Sequence, residues 1–320
     1  MNRALLCLCL LTSALPAWAA DPYPNQPTRV IVPYPPGGGT DGIARMISRQ
    51  LSEQIGKSFV VENRTGASGI VGSGIVAKAA PDGYTILLAD ISFAMVPGLT
   101  RSLPYVPLKD FTPITQLIRS PQALVVIPSL NVNTLREFIA LAQANPGRFN
   151  YGSGGTGSSP HLSAALFNIA AKVNITHIPF KGAGDVITAM LGGQVQMHVT
   201  GIPALLPHIN AGKMRALGVT TDGRRISLLP DVPSMSEAGI PGLDIYTWHG
   251  LAGPAGLPRD VVNKLHAEAV KALASPSLQA QFVAQGAEPV GSTPEEFSRL
   301  IRSELQRWGE VVKAAGITPE

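Results

Sequence analysis

Three observations predict an α/β fold. Short apolar runs of strand character alternate many times with stretches of helical period, the pattern of βα units feeding a largely parallel sheet. Apolar residues make up 45% of the 320-residue chain and Asp, Glu, Lys and Arg only 14%. The usual charged share is about 25%, so a disordered tail protein is excluded and a large core is expected. Finally, 33 glycines and 28 prolines, without a Gly-X-Y period, divide the chain by turns. At roughly 100 to 200 residues per domain, this length corresponds to about two domains.

The chain opens with a basic residue, Arg3, an almost wholly apolar stretch over 4–15, and Pro16-Ala17-Trp18-Ala19, which ends in small residues at the two positions a signal peptidase reads. This predicts a signal peptide at 1–19, cleaved after Ala19. A membrane anchor would need about 20 apolar residues and no cleavage site. Cys7 and Cys9 both fall inside this segment. The expected mature protein is therefore free of disulfides, thiolate metal sites and cysteine nucleophiles. No later apolar run is long enough to span a membrane, so a soluble periplasmic protein is expected.

Strands are predicted at 29–34, 59–62, 84–89, 123–127, 176–180, 195–199, 216–220 and 250–252, where short apolar runs are bounded by turn formers. Helices are predicted at 41–55, 69–78, 135–144, 160–171, 183–191, 258–274, 277–285 and 295–315. In the last of these, Phe297, Leu300, Ile301, Leu305 and Trp308 recur at helical spacing and are read as core packing. No repeat of 20 to 50 residues is visible, which excludes solenoids and propellers. The formal charge of +4 comes from 25 basic and 21 acidic residues spread along the chain. The densest basic cluster is Arg224-Arg225, read as a solvated loop, and no basic stripe points to nucleic acid.

Two glycine loops carry the functional argument. Gly37, Gly39 and Gly42 satisfy GxGxxG between the first strand and the first helix, and Gly152, Gly154 and Gly157 repeat the spacing before the helix at 160–171. Ser159 is the expected N-cap there, with Pro160 as the first helical residue. A glycine-flanked helix N-terminus offers unpaired N–H groups and a positive dipole end to an anion. Two such loops can clamp one ligand. A dinucleotide site is the competing reading, since Glu62 falls twenty residues after Gly42, where a ribose-binding acid would stand. Against it stand Asp41 in the first helical turn, the stiff Pro35-Pro36 and the absence of a P-loop lysine.

Catalytic patterns are missing: there is no GxSxG, HExxH, CxxC or EF-hand loop. The six histidines, at 161, 177, 198, 208, 249 and 266, form no ligand pair at i, i+4. No cofactor, metal or enzymatic activity is expected. His161, two residues into the helix after Ser159, is read first as a hydrogen-bonding group that fixes the loop.

A series of motifs resembles the Bug/TctC family of periplasmic solute-binding receptors of tripartite tricarboxylate transporters, over essentially the whole mature chain. It comprises Tyr23-Pro24, the run from Val32 to Asp41 (VPYPPGGGTD), Val61-Glu62-Asn63-Arg64 with the glycines between 66 and 69, and AKAAPDGYT at 77–85. Further along stand Gly157-Ser158-Ser159 with His161-Leu162, Pro179-Phe180-Lys181-Gly182, LGGQVQ at 191–196, LPDVP at 229–233 with Glu237-Ala238-Gly239, and Pro254-Ala255-Gly256.

The resemblance implies a type II periplasmic-binding-protein fold, two α/β lobes with a ligand cleft between them. Lobe 1 would comprise 20–120 plus 247–320 and lobe 2 residues 121–246. It implies a small carboxylate (dicarboxylate, tricarboxylate or aromatic carboxylate), held by backbone amides, hydroxyls and bridging waters, and delivered by a monomer to integral membrane transporter subunits. Tyr34, Gly39, Thr40, Asp41 and Ser92 would line the cleft from lobe 1, and Gly155, Gly157, Ser158, Ser159, His161, Lys181 and Thr200 from lobe 2. Lys181 would face the ligand or bridge the cleft. Family members often carry Asp where this chain has Thr200, which favours a ligand without an amine. Phe93 either lines the pocket, favouring an aromatic or longer apolar carboxylate, or is buried between helix and sheet. A receptor that signals to a sensor shares every local feature; an exported enzyme and a dinucleotide-binding protein are the remaining alternatives.

Overall fold

A computed structural model describes residues 23–319, so the predicted signal peptide, with Cys7 and Cys9, lies outside the described residues. The first apolar runs form β1 (Thr28–Val32), β2 (Phe59–Asn63) and β3 (Thr85–Asp90), alternating with α1 (Gly39–Ile55), α2 (Ile70–Ala77) and the short α3 (Ser92–Met95). A long strand, β4 (Phe111–Val126), follows. Then come α4 (Leu135–Ala144), β5 (Asn150–Ser153), α5 (Ser159–Ala171), β6 (Thr176–Pro179), α6 (Ala183–Leu191), β7 (Met197–Gly201), α7 (Ile202–Asn210) and β8 (Arg215–Val219). The chain closes with β9 (Tyr246–Pro254), α8 (Arg259–Leu273), α9 (Pro276–Ala284), β10 (Glu288–Pro289) and α10 (Pro294–Ala314).

β4 belongs to two sheets. Its residues 111–121 pair with β9, completing the order β2-β1-β3-β9-β4, and β10 lies on the far edge of β4. Its residues 122–126 pair with β7, giving β4-β7-β5-β6, with β8 on the other edge. The expected largely parallel sheet is thus mixed. β1 runs parallel to β2 and β3, and β5 to β6 and β7, whereas every antiparallel pairing among the strands β1–β10 involves β4 or β9. Parallel strands need helical crossovers, whereas β9 and the first part of β4 are hydrogen-bonded directly to each other and run in opposite senses, and β4 alone continues into the second sheet.

Those two strands exceed their predictions of 123–127 and 250–252 for a physical reason. Pro113 and Pro121 argue against a central strand, and Thr115, Gln116, Arg119 and Ser120 break the apolar run. The structure absorbs this with two register shifts, at 113/115 and 116/118. α7 went unpredicted because it contains two prolines: Pro203 stands in the first turn, where a missing N–H costs little, and Pro207 sits inside the helix. β5 was hidden by Gly152, whose lack of a side chain is required, because a Cβ there would stand 2.6 Å from Val186 Cγ1.

Both faces of the first sheet are covered. Ile47, Leu51, Leu265 and Phe282 of α1, α8 and α9 close one face. On the other, Phe297, Ile301 and Trp308 of α10 join a core that runs on to Phe138 and Phe167 of α4 and α5. Phe297, Ile301 and Trp308 are fully buried, while Leu300 and Leu305 pack partly buried against them, so the α10 stripe is packing, as the sequence indicates. Phe297 meets Trp248 of β9 edge to face at 5.4 Å, and Trp308 Nε1 donates to Glu304 Oε2 at 2.7 Å. α10 begins with a reciprocal Thr293–Glu296 capping box. Arg224 is exposed as expected, yet it and Arg119 converge on Glu288 at 3.3 and 2.9 Å, tying the loop after β8 to β4 and β10.

Gly250 lies where β9 passes under Phe297; a Cβ would come within 2.3 Å of Phe297 Cζ and 2.7 Å of the Thr115 carbonyl oxygen. Gly250→Ala is expected to lower unfolding free energy by about 1 to 3 kcal/mol through overpacking. Urea unfolding checks this; an unchanged midpoint would mean that α10 yields without cost.

Candidate functional site

The carboxyl ends of β1 and β3 and the start of α1 bring Tyr34, Thr40, Asp41, Asp90 and Ser92 together on one side. The ends of β5 and β7 and the start of α5 bring Ser158, Ser159, His161 and Thr200 together on the other. In open α/β sheets, ligands bind in crevices outside such strand ends. The second loop packs against the segment that follows α3: a Cβ on Gly157 would stand 2.6 Å from Leu99 Cδ1. Beside this contact lies a cavity of about 200 Å³ lined in part by Ser68, Leu99, Thr156, Gly157 and Ile317; it borders the second glycine loop and does not include Thr40 or Ser159.

Both loop-bearing helices begin without a side-chain cap. Gly38 precedes α1 and Ser158 precedes α5, and neither makes a capping hydrogen bond. The predicted N-cap, Ser159, is therefore corrected by one position: Ser158 takes the extended backbone, and Ser159 and Pro160 occupy the first turn. Ser158 Oγ turns back to donate to the Gly155 carbonyl at 2.7 Å. Leaving the first-turn N–H groups without a side-chain partner keeps them free for an anion.

Each of these helices carries a hydroxyl in its first turn, and each hydroxyl is held from β4 or from β9, the strand that pairs with its first part. Thr40 Oγ1 lies 3.1 Å from His249 Nε2 on β9. Ser159 Oγ accepts from Gln122 Nε2 on β4 at 2.8 Å, leaving its own proton to donate. The remaining polar atoms of the two holders, His249 Nδ1 and Gln122 Oε1, are buried without a partner. Burial pushes His249 down to about 4, so its ring is neutral at neutral pH.

The other expected residues divide by the bonds they make. Asp41 is 3% exposed and its carboxylate is already occupied: it accepts from Gly37 N–H at 2.9 Å, Arg45 Nε at 2.8 Å and Asn63 Nδ2 at 2.9 Å. The Arg45 bond leads the causes that lower its pKa to about 2. Asp41 thus stiffens the first loop. Tyr34 donates its hydroxyl to Asp90 Oδ1 at 2.9 Å, and Ser92 N–H donates to the same oxygen at 3.2 Å. Gly39 opens α1, while Gly155 and Gly157 both take positive φ, +120° and +79°, which side chains rarely adopt. Thr200 stands at the end of β7 opposite Ala123. Lys181 is exposed just beyond the edge strand β6. Phe93 takes its buried alternative: it is 4% exposed and packs edge to face on Phe111 at 4.9 Å. Glu62, the would-be ribose acid, pairs instead with Arg29 at 2.7 Å and with Arg64.

His161 fixes the second loop. Its Nδ1 accepts from Gly157 N–H at 2.9 Å, and its ring stacks on His177 at 3.8 Å. His177 Nε2 in turn lies 2.7 Å from Ser153 Oγ, which donates to Gly155 O. Burial, aided by His177, pushes His161 down to about 4. The sequence reading missed Asp90, Gln122 and His249. Only Asp90 left a signal, an acid closing the apolar strand TILLAD; the other two are placed by strands whose extent the sequence concealed.

A two-sheet α/β protein with its polar groups gathered at facing strand ends has the architecture of the periplasmic binding proteins. The description "Tripartite tricarboxylate transporter family receptor" matches residues 43–317, and the chain belongs to that family. It is 38% identical over 300 residues to Protein BugT of Bordetella pertussis, covering 93% of this chain and 92% of the relative. Among solved structures, R. palustris Rpa4515 with adipate is 36% identical at a TM-score of 0.81, covering 93% of this chain and 100% of that one. MatC from Rhodopseudomonas palustris with bound malate is 32% identical at a TM-score of 0.76, covering 91% and 100%. Among the described residues, no helix is long and apolar enough to cross a membrane.

Neutral His161 accepts a backbone proton at Nδ1, so protonation there breaks the loop bond. Its folded pKa of about 4 lies below the unfolded value of 6.5, so its contribution is complete above pH 6.5 and is lost as pH falls toward 4. In calorimetric scans, the fall in melting temperature between pH 6.5 and 4 should be smaller in His161→Gln than in the wild type. Parallel profiles would remove His161 from the loop's acid sensitivity.

Proposed function

We propose that this chain captures a small carboxylate between its two glycine loops and delivers it to the integral membrane subunits of a tripartite tricarboxylate-type transporter, without chemical change. The observation that carries the reading is the matched pair of held hydroxyls, Thr40 on His249 and Ser159 on Gln122, one at each uncapped helix start. Each is backed by free N–H groups, and a carboxylate has two oxygens to share between them. The adipate and malate of the two R. palustris structures are carboxylates of this kind.

In this reading the lobes are 20–120 with 247–320, and 121–246. Those divisions fall next to the points where β4 changes sheet and β9 begins. Ligand contacts come from Thr40, Ser159 and Thr200, from the backbones of Gly39, Gly155, Gly157 and Ser158, and from the Tyr34–Ser92 corner, with Asp41 and His161 bracing the loops. Lys181 lies at the rim. The lobes close on the ligand by bending about β4 where it changes sheet and about the segment that leads into β9. The protein is a monomer, exported to the periplasm with cleavage after Ala19.

Titration calorimetry of residues 20–320 with adipate and malate tests the proposal. Thr40→Ala and Ser159→Ala should each weaken binding by about tenfold or more, since a hydrogen bond to a charged group contributes roughly 1.5 to 3 kcal/mol. Ser159→Ala should cost little helix stability, because Ser158 is the N-cap. Wild-type affinity in both variants, or conversion of the ligand on incubation, would refute it.

A further inference from the structure

The cleft contains an acid that the carboxylate reading does not use. Asp90 closes β3 and stands directly opposite His249 in the antiparallel β3–β9 register, so the two side chains share a face of the sheet. It is part-buried. Its two protein hydrogen bonds, from the Tyr34 hydroxyl and the Ser92 N–H, both end on Oδ1. Among the described residues, no lysine or arginine forms an ion pair with it.

The groups around it do not neutralise it. From β1 comes Tyr34, whose own ionisation is pushed far up by burial; from β9, the neutral His249; and from the segment before β4, Tyr105, also pushed up. On α1, Asp41 and Arg45 are paired with each other. Loss of water raises Asp90 to about 6, against the opposing pull of hydrogen bonds from the Tyr34 hydroxyl, the Ser92 backbone and hydroxyl and its own backbone. An ionised Asp90 facing a bound carboxylate repels it unless a proton lies between them.

Resting on the carboxylate reading, we propose that Asp90 determines specificity by requiring a proton on the ligand's side. A carboxylate bearing a hydroxyl or ammonium near its anionic end supplies that hydrogen to Oδ2. A carboxylate without such a donor binds only with a proton taken from solvent. The amine-free preference drawn from Thr200 concerns the other side of the cleft; Asp90 supplies an acid from β3 instead.

Two matched series serve as probes: succinate, malate and aspartate, and adipate with 2-hydroxyadipate. Each series has one carbon skeleton, so its members differ only in the donor. Calorimetry at pH 7.5 in two buffers of different ionisation heat counts protons. The wild type should favour donor-bearing members by tenfold or more. It should bind succinate or adipate with uptake approaching one proton, its affinity for them rising as pH falls from 7.5 to 5.5. Asp90→Asn keeps the size and the Oδ1 acceptor, and should lose both the preference and the uptake. Tyr34→Phe leaves Asp90 in place but removes a bond that favours its ionised form, so the free protein already carries part of the proton: uptake should fall below the wild-type value while succinate and adipate bind more tightly at pH 7.5, and this gain decides the matter if Asp90→Asn does not fold. Binding of either series without donor preference or proton uptake, or an Asp90→Asn profile identical to wild type, would overturn the role of Asp90 alone. No binding by any of the five would overturn the carboxylate reading and this proposal together.

Discussion

One strand must satisfy two sheets. β4 pairs with β9 and β10 through its first part and with β7 and β8 through its second, so the peptide groups of one sixteen-residue strand are divided between two hydrogen-bonded systems. Because backbone groups buried in a core must be paired, β4 cannot slip without breaking ladders in both sheets. That constraint fixes where one sheet ends and the next begins. It also places Gln122 one residue past the change of sheet and His249 on the adjoining strand.

The polar machinery follows from this placement. The glycine loops lie at strand ends because their helices need room to start, but a loop alone does not position a hydroxyl. Thr40 and Ser159 are held in place by His249 and Gln122, which sit on strands paired along both edges. The loops are also braced internally, by Asp41 in the first and by the stacked His161 and His177 in the second. In both cases a side chain of the helix's first turns bonds back to a loop N–H and stiffens the loop. Preorganised donors bind more tightly than mobile ones because less ordering entropy remains to be lost.

Electrostatically, the site keeps its own charges low. His161 and His249 are neutral through burial, and the charge of Asp41 is matched by Arg45. This leaves backbone dipoles and hydroxyls as the donors, which suits an anion that must be released again. Asp90 is the exception: its charge has no cationic partner, which makes it the group most able to tell one carboxylate from another.

The sequence by itself determined the α/β class, the family resemblance, most helices, the two glycine loops, and the presence of Thr40 and Ser159 at the helix starts beside them, because each is written in local period, local turn chemistry or contiguous motifs. It also indicated that the α10 stripe is core and that His161 fixes a loop. Only the tertiary structure decided the full length of β4 and β9, since prolines and polar residues inside a doubly covered strand carry no periodic signal. It likewise decided that Phe93 is core and that Ser158 is the cap. The holders Gln122 and His249, and the facing of Asp90 with His249, depend on strand register, which joins residues distant in the chain, Asp90 with His249 and Gln122 with Gly201, and leaves no trace in local sequence.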